Sequence, residues 1–374
     1  MTSAEGPAQR SAATNGQTHR PHTVLVLGGG GMKGFAHIGV IRALERLGIE
    51  VDEVVGTSMG AVMGAALAAG MNSSEIEEIT GEISIKSYFK VNLLKFLIRG
   101  YKHASIYKGK AFQEFLQKHL PQKSFAELEK PFTCNALSLN NGTLRYFGRH
   151  ESEPVAVADA VYSSSCLPGV FEPIEIDGDH YIDGGMTESL SLRIARIRRP
   201  DLIIAVDLSI REHHQDIPYR ESLPHILFQA YGIMGDALNE LSLHRYHGPD
   251  VALMKPKVAH IGILDEVDLP EIIRLGEREA LEVLTTHRLT RHLCQPDLVN
   301  EISRSIRTTR DFVELDVDMN TCTHCGICAE TCPTAGFVAV PTGSVVAKIH
   351  NHECARDMAC ERLCPEKAIT LRNL

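Results

Sequence analysis

The sequence predicts an α/β domain built on a mainly parallel sheet, followed by a small, cysteine-rich α+β domain. Three observations carry that prediction. Val24-Leu25-Val26-Leu27 and Leu202-Ile203-Ile204-Ala205-Val206 are short continuous apolar runs, as expected of strands covered on both faces. Segments of helical period alternate with such runs, the pattern of a sheet with crossover helices. Beyond residue 313 the composition changes: of ten cysteines, seven lie between Cys322 and Cys364, with Cys-Pro punctuation.

A chain of 374 residues fits two to three domains, each able to bury a core. The divisions expected are a leader over 1–22, the α/β domain over 23–308 and the cysteine-rich domain over 309–374. Hydrophobic content of 44% and charged content of 23% are ordinary for a soluble globular chain. A net charge of −9 and the absence of Trp argue against nucleic acid as a partner, which calls for basic patches and stacking rings. No apolar run reaches the roughly 18 residues of a membrane-crossing helix. Met1 to His22 is polar, lacks the apolar centre of a secretory signal and reads as a disordered leader. Cysteines crowded at short fixed spacings indicate metal rather than disulfides. Thiolates kept free for metal in turn imply a reducing, cytoplasmic compartment.

Taken in order, the first strand ends in Gly28-Gly29-Gly30-Gly31. A helix beginning near Gly34 places Phe35, Ile38, Ile41, Leu44 and Leu47 on one face and stops at Gly48. A second strand, Asp52 to Val55, runs into Gly56-Thr57-Ser58-Met59-Gly60. The helix after it is rich in Ala and Gly (Gly60, Ala61, Gly64, Ala65, Ala66, Ala68, Ala69), so it can lie close to a sheet. Lys86 to Lys110 mixes basic and apolar residues. On a helical wheel Lys95, Arg99 and Lys102 lie broadly opposite Phe89, Leu93, Phe96 and Leu97. Such a helix either covers the core or rests peripherally on an anionic membrane. Residues from about 216 to 308 read as largely helical, without a chemical motif.

Gly56-Thr57-Ser58-Met59-Gly60 fits the nucleophile elbow G-x-S-x-G. A strand-to-helix turn there would expose the Ser58 hydroxyl at a helix N-terminus, where developing negative charge is favoured. Gly29 to Gly34 fits G-x-G-x-x-G, which also occurs in dinucleotide sites. Those sites want an acid at the end of the second strand; here the acids (Glu50, Asp52, Glu53) precede it and the strand ends at the serine. The glycine loop can instead aim backbone N–H groups at a tetrahedral intermediate, with Lys33 adding positive charge or lying on the surface. Serine needs a base. Asp183-Gly184-Gly185 follows His180-Tyr181-Ile182 and by itself reads as a turn.

Leu27 to Val40 (LGGGGMKGFAHIGV), GTSMG, Ala160 to Pro173 (AVYSSSCLPGVFEP) and DGG resemble, in that order, the patatin-like phospholipases over about residues 23 to 290. The resemblance implies a modified α/β hydrolase fold and a Ser–Asp dyad without a catalytic histidine. It makes Ser58 the nucleophile, Asp183 the general base, and Gly29, Gly30 and Gly31 with Met32 the oxyanion loop, flanked by Lys33 and Gly34. Lys33 stands where arginine is frequent, and DGG replaces the commoner DGA. Met186-Thr187-Glu188-Ser189-Leu190 replaces a proline-containing stretch, which alters the rim of the acyl pocket. Among 18 histidines, His213, His214, His225 and His287 could complete a triad instead, and His37 reads as structural.

Cys322-x2-Cys325-x2-Cys328-x3-Cys332-Pro333 is the bacterial ferredoxin run. Cys354, Asp357, Cys360 and Cys364-Pro365 repeat it at a constant offset of thirty-two residues. Similarity to two-cluster ferredoxins implies a ferredoxin-like domain in which each run lends its fourth cysteine to the other cluster. Cluster I, a [4Fe–4S], would take Cys322, Cys325, Cys328 and Cys364. Cluster II, [4Fe–4S] or [3Fe–4S], would take Cys332, Cys354 and Cys360, with Asp357 a weaker carboxylate ligand. The expectation is therefore a lipid acyl-ester hydrolase with a redox module and a redox protein as partner. The competing reading is an electron-transfer or redox-sensing protein whose first domain mainly binds lipid.

Overall fold

The computed structural model describes residues 20–81, 109–149, 155–209, 223–258, 261–263, 265, 267–309, 313–331, 337–339, 345–347 and 359–373. Lys95, Arg99 and Lys102, the basic face anticipated for 86–110, lie outside them, as does the leader up to residue 19. Arg20 and His22 are described and held: the Arg20 guanidinium donates to Glu50 O at 3.0 Å, and His22 N–H to the Asp201 carboxylate at 2.8 Å.

The main sheet has eight strands: β1 (Thr23–Leu27), β2 (Glu53–Gly56), β3 (Phe132–Ser138), β4 (Leu144–Gly148), β5 (Ile174–Ile176), β6 (Asp179–Asp183), β7 (Leu202–Val206) and β8 (Val251–Met254). They run in the order β5-β6-β3-β2-β1-β7-β8, with β4 also on β3. The centre, from β3 through β2, β1 and β7 to β8, is parallel; β4, β5 and β6 add antiparallel pairings. The fold is α/β with a mostly parallel, mixed sheet. Every residue of β1 and β7 is buried, because helices cover both faces. Leu25 and Leu27 face one apolar cluster with Ile38, Ile41 and Leu44, whereas Val24 and Val26 face a second one with Leu190 and Ala195.

A tight 3-10 turn, Gly31–Phe35, precedes helix α1 (Ala36–Leu47), which closes on left-handed Gly48. The second crossover helix is α2 (Met59–Ala68). The stretch read as largely helical holds three helices, Leu223–Tyr246, Leu269–Thr286 and Pro296–Thr309, but also β8, which extends the parallel sheet beyond β7. Val-Ala-Leu-Met is too short an apolar run to separate strand from helix by period.

The register along β3 positions the site. Cys134 pairs with Gly56 on one edge and Phe147 on the other, while Ala136 pairs with Asp183 and Arg145. Since β4 occupies one edge throughout, β2 and β6 share the other and run toward each other. Their C-terminal ends meet two residues apart along β3.

The cysteine-rich segment is α+β: Val313–Val317 pairs antiparallel with Ile369–Asn373, Phe337–Ala339 pairs antiparallel with Val345–Ala347, and short helices span Ile327–Thr331 and Ala359–Arg362.

Candidate functional site

At the end of β2 the chain reverses into α2 through Ser58, whose φ of 54° and ψ of −125° place a non-glycine residue in a strained region. The turn is tight enough to exclude side chains beside it. A Cβ at Gly60 would lie 2.2 Å from Leu27 O, and one at Gly56 2.5 Å from Gly60 O. Neighbouring groups hold the strain in place. Thr57 N–H donates to Leu27 O at 3.0 Å, Ser58 N–H to Ser164 Oγ at 3.0 Å, and Ser165 Oγ–H to Ser58 O at 3.0 Å. Asn135 on β3, fully buried, donates to Glu188 O and Ser191 Oγ, and Ser191 Oγ lies 3.1 Å from Thr57 Oγ1.

The head-on meeting of β2 and β6 brings Ser58 Oγ to Asp183, donating to Oδ2 at 2.6 Å. Gly185 N–H donates to the other carboxylate oxygen, Oδ1, at 2.7 Å and fixes the carboxylate plane. Burial raises the Asp183 pKa to about 6; the bonds from Ser58 and Gly185 work against that rise. Cys166, whose carbonyl accepts Asp183 N–H at 3.0 Å, is itself pushed up to about 12, first by burial and then by the nearby Asp183 charge. Its thiol is neutral and competes with neither group.

The glycine loop lies beside the serine: a Cβ on Gly29 would sit 3.2 Å from Ser58 Cβ. Its backbone donors divide into two sets. Gly29 N–H is spent on Ser189 O at 2.9 Å, Met32 N–H on Ile263 O at 3.0 Å, and Lys33 N–H on Gly30 O at 3.3 Å. Gly30 and Gly31 N–H have no acceptor among the described residues. Lys33 is buried rather than on the surface. His37, fully buried, places Nε2 2.8 Å from Gly28 O, and burial lowers its pKa to about 4, leaving a neutral ring that braces the loop from behind. Of the other histidines considered, His213, His214 and the side chain of His225 lie outside the described residues. His287 accepts from Leu289 N–H at 3.4 Å, within its own turn.

Ser164, Ser165, Ser189 and Asn135 were not among the residues anticipated. Ser164 and Ser165 lie in the quoted stretch Ala160 to Pro173 and Ser189 in Met186 to Leu190, but neither stretch gave them a role, and nothing marked Asn135.

In the C-terminal segment Cys322, Cys325, Cys328 and Cys364 line one cavity together with Val317 and Ile369. Ala368 N–H donates to Cys364 Sγ at 3.3 Å, and burial raises the Cys328 pKa, with Cys325 and Cys322 adding to the rise. Crowded thiols facing a shared cavity, with a backbone donor on sulfur, suit a polynuclear iron–sulfur group. Among the described residues no three ligating side chains converge on one point. In a four-iron cluster each thiolate meets its own iron, so convergence is not required. Cys360 is buried against Cys328 and Ile369. Cys332, Cys354 and Asp357 lie outside the described residues.

Residues 25–196 match the patatin-like phospholipase family model, and residues 315–336 match that of the 4Fe-4S binding domain. An uncharacterized NTE family protein of Mycobacterium tuberculosis is 30% identical over 220 residues, 59% of this chain and 57% of the relative. Lysophospholipase NTE1 of Coccidioides immitis is 26% identical over 70% of this chain and 17% of its own length. Patatin-like phospholipase domain-containing protein 6 of Homo sapiens is 28% identical over 66% of this chain and 17% of its own. The chain thus spans less than two thirds of the length of these curated relatives. Among solved structures, VipD from Legionella pneumophila aligns with a TM-score of 0.42 and 14% identity, covering 71% of this chain and 67% of that one. Residues 25–196 are thus similar to the patatin-like phospholipases, and residues 315–336 to the 4Fe-4S binding domain.

Proposed function

We propose that the chain is a serine hydrolase acting on carboxylic ester bonds of lipids, with Ser58 as nucleophile and Asp183 as general base. The observation that carries the reading is the 2.6 Å bond from Ser58 Oγ to a buried carboxylate at a strained strand–helix turn. Asp183 takes the hydroxyl proton as Oγ attacks the ester carbonyl. The developing oxyanion lies toward the unspent N–H groups of Gly30 and Gly31 and the N-terminus of α2. Asp183 then returns the proton to the departing alcohol. Water, deprotonated by the same carboxylate, attacks the acyl-enzyme; the acyl–Oγ bond breaks, Asp183 returns the proton to Ser58 Oγ, and the fatty acid is freed.

Cys322, Cys325, Cys328 and Cys364 would hold one iron–sulfur cluster. By the similarity to two-cluster ferredoxins, Cys332, Cys354, Cys360 and Asp357 would hold a second. Such groups supply one-electron transfer, which ester hydrolysis does not consume, so the module is assigned to regulation or docking of a redox protein.

The test is anaerobic fluorophosphonate labelling with a panel of lipid esters. Ser58→Ala should abolish labelling and turnover and leave the iron–sulfur spectrum intact. Asp183→Asn should cost at least about 10²-fold in kcat, the low end for a lost general base. Near-normal turnover of Asp183→Asn, with loss in a histidine variant, would overturn the dyad.

A further inference from the structure

The helix Leu223–Tyr246 is apolar on two sides. Its inward side rests on the catalytic turn. Tyr231 OH lies where a Cβ on Gly185 would approach it to 3.5 Å, and Gly235 comes similarly close to Gly185 O. Asn239 Nδ2 is tied to the buried Asp207 at 3.0 Å. Its outward side is a solvent-facing stripe: Ile226, Ala230, Ile233, Ala237 and Leu241 advance by four, three, four and four residues, and Met234 and Leu238 widen it. Ile233, Met234 and Leu241 are 55%, 63% and 66% exposed; the seven stripe residues are uncharged, and Glu240 and the exposed His244 stand at its border. An exposed apolar stripe on a helix whose polar residues, among them Asp236 and Glu240, lie to one side marks a surface for an apolar partner.

We propose that this stripe is the surface by which the protein docks on a lipid bilayer, delivering substrate to Ser58 on the helix's inner side. The proposal rests on the hydrolase reading above. Size favours lipid over a second copy. From Ile226 to Leu241 the stripe runs about 22 Å along a helix about 10 Å wide. That is a few hundred Å² at most, against about 800 Å² per partner in a stable protein interface. An interfacial helix needs no more than one apolar face sunk about 5–10 Å into the headgroup boundary. Placement agrees, since the stripe is one helix diameter from the turn that carries Asp183. No helix among the described residues is long and apolar enough to cross a membrane. Because the stripe residues are uncharged and no basic cluster joins them, binding is to zwitterionic lipid and resists salt. An electrostatic surface such as the one anticipated at Lys95, Arg99 and Lys102 would behave in the opposite way.

The experiment is flotation of the full chain with pure phosphatidylcholine vesicles, in a Ser58→Ala background so that the vesicles stay intact. The parent should float equally at 0.05 M and 0.5 M salt. Ile233→Ser/Met234→Ser/Leu241→Ser together should lower partition at least tenfold, with a matching thermal melt to show folding, and Leu241→Ser alone should fall between. Three results would overturn the proposal: no flotation of the parent, equal flotation of parent and triple variant, or binding lost at high salt. A dimer in light scattering that the triple variant dissociates would identify a second copy as the occupant, against the proposal. Failure of the hydrolase reading would show separately, as absent turnover of soluble esters by wild type.

Discussion

Ser58, in the turn after β2, and Asp183, at the end of β6, are enclosed by a large core. The same sheet that buries Val54 and Val55 beneath Ser58 also buries Ile182 beside Asp183. Among the described residues Cys322, Cys325, Cys328 and Cys364 have much less around them: of the cluster's buried members Cys328, Cys360 and Ile369, two are cysteines. In the first region the fold is complete without the chemistry, and it can hold a serine in strained geometry and a carboxylate out of water. In the second, the cysteines make up most of the buried cluster among the described residues. A cavity walled by thiols at the heart of a segment this small becomes stable when metal links them, so there the site organises the fold.

Removing iron is the sharpest way to break this comparison. Anaerobic treatment with a strong chelator should open residues 313–373 to proteolysis, since metal–thiolate bonds are worth on the order of 10 kcal/mol to such segments. Fluorophosphonate labelling of Ser58 should survive. Limited proteolysis followed by mass spectrometry reads both at once. Labelling lost in step with the cleavage would mean that the two regions stand or fall together.

Legibility in the sequence follows the same division. The elbow, the glycine loop, α1 and the cysteine runs are local patterns, in which glycines, apolar periods and Cys-x2-Cys spacing state the geometry within a few residues. What escaped is nonlocal. Asp183 read alone as a turn residue, because its distinction comes from register, with β6 meeting β2 head-on beside β3. The elbow's supports, Ser164, Ser165 and Asn135, are polar residues whose partners lie 53 to 107 positions away in the chain. β8 was lost within a helical stretch because four apolar residues carry no period. The loop's donors could not be sorted from sequence either, since Gly29 and Met32 are spent on Ser189 and Ile263, far along the chain.

A second prediction tests how much strain the enclosed region tolerates. Burial raises the Asp183 pKa from 3.8 to about 6, so the folded protein binds a proton there more tightly than the unfolded chain does. Stability contributed by this group is therefore full below about pH 4 and is lost as pH rises through about 6. Above that, the buried charge costs about 3 kcal/mol, at roughly 1.4 kcal/mol per pKa unit. Asp183→Asn should melt several degrees higher than wild type at pH 7.5, and the gap should close near pH 4. Activity should run the other way: kcat/KM should climb as pH passes about 6, because only the carboxylate accepts the proton. Thermal melts and pH–rate profiles measured side by side would show this opposition. A melting gap independent of pH would remove the cost assigned to burial.

The smallest expected effect belongs to His37, and it asks whether the enclosed region positions its loop or merely fills space behind it. The ring is fully buried, with Nε2 2.8 Å from Gly28 O, and Nδ1 has no partner among the described residues. Its pKa, lowered to about 4 by burial, keeps it neutral across the working range and fixes it as the donor to that carbonyl. Its linkage is opposite in sign to that of Asp183. The unfolded chain protonates near pH 6.5 and the folded one near 4, so this stability is present above about 6.5 and lost as pH falls toward 4. His37→Phe fills much of the same space but leaves Gly28 O unsatisfied, at a cost of about 1–3 kcal/mol. His37→Gln can still donate. If the bond positions the loop, Phe should lower kcat about tenfold with little change in KM, because an oxyanion donor acts in the transition state. Gln should recover part of that loss, and both variants should flatten the acid limb of the stability profile. If Phe lowered the melting temperature yet left kcat at the wild-type value, the ring would be packing alone. The placement of Gly30 and Gly31 would then depend on Ser189 and Ile263, which accept from the loop on either side of them.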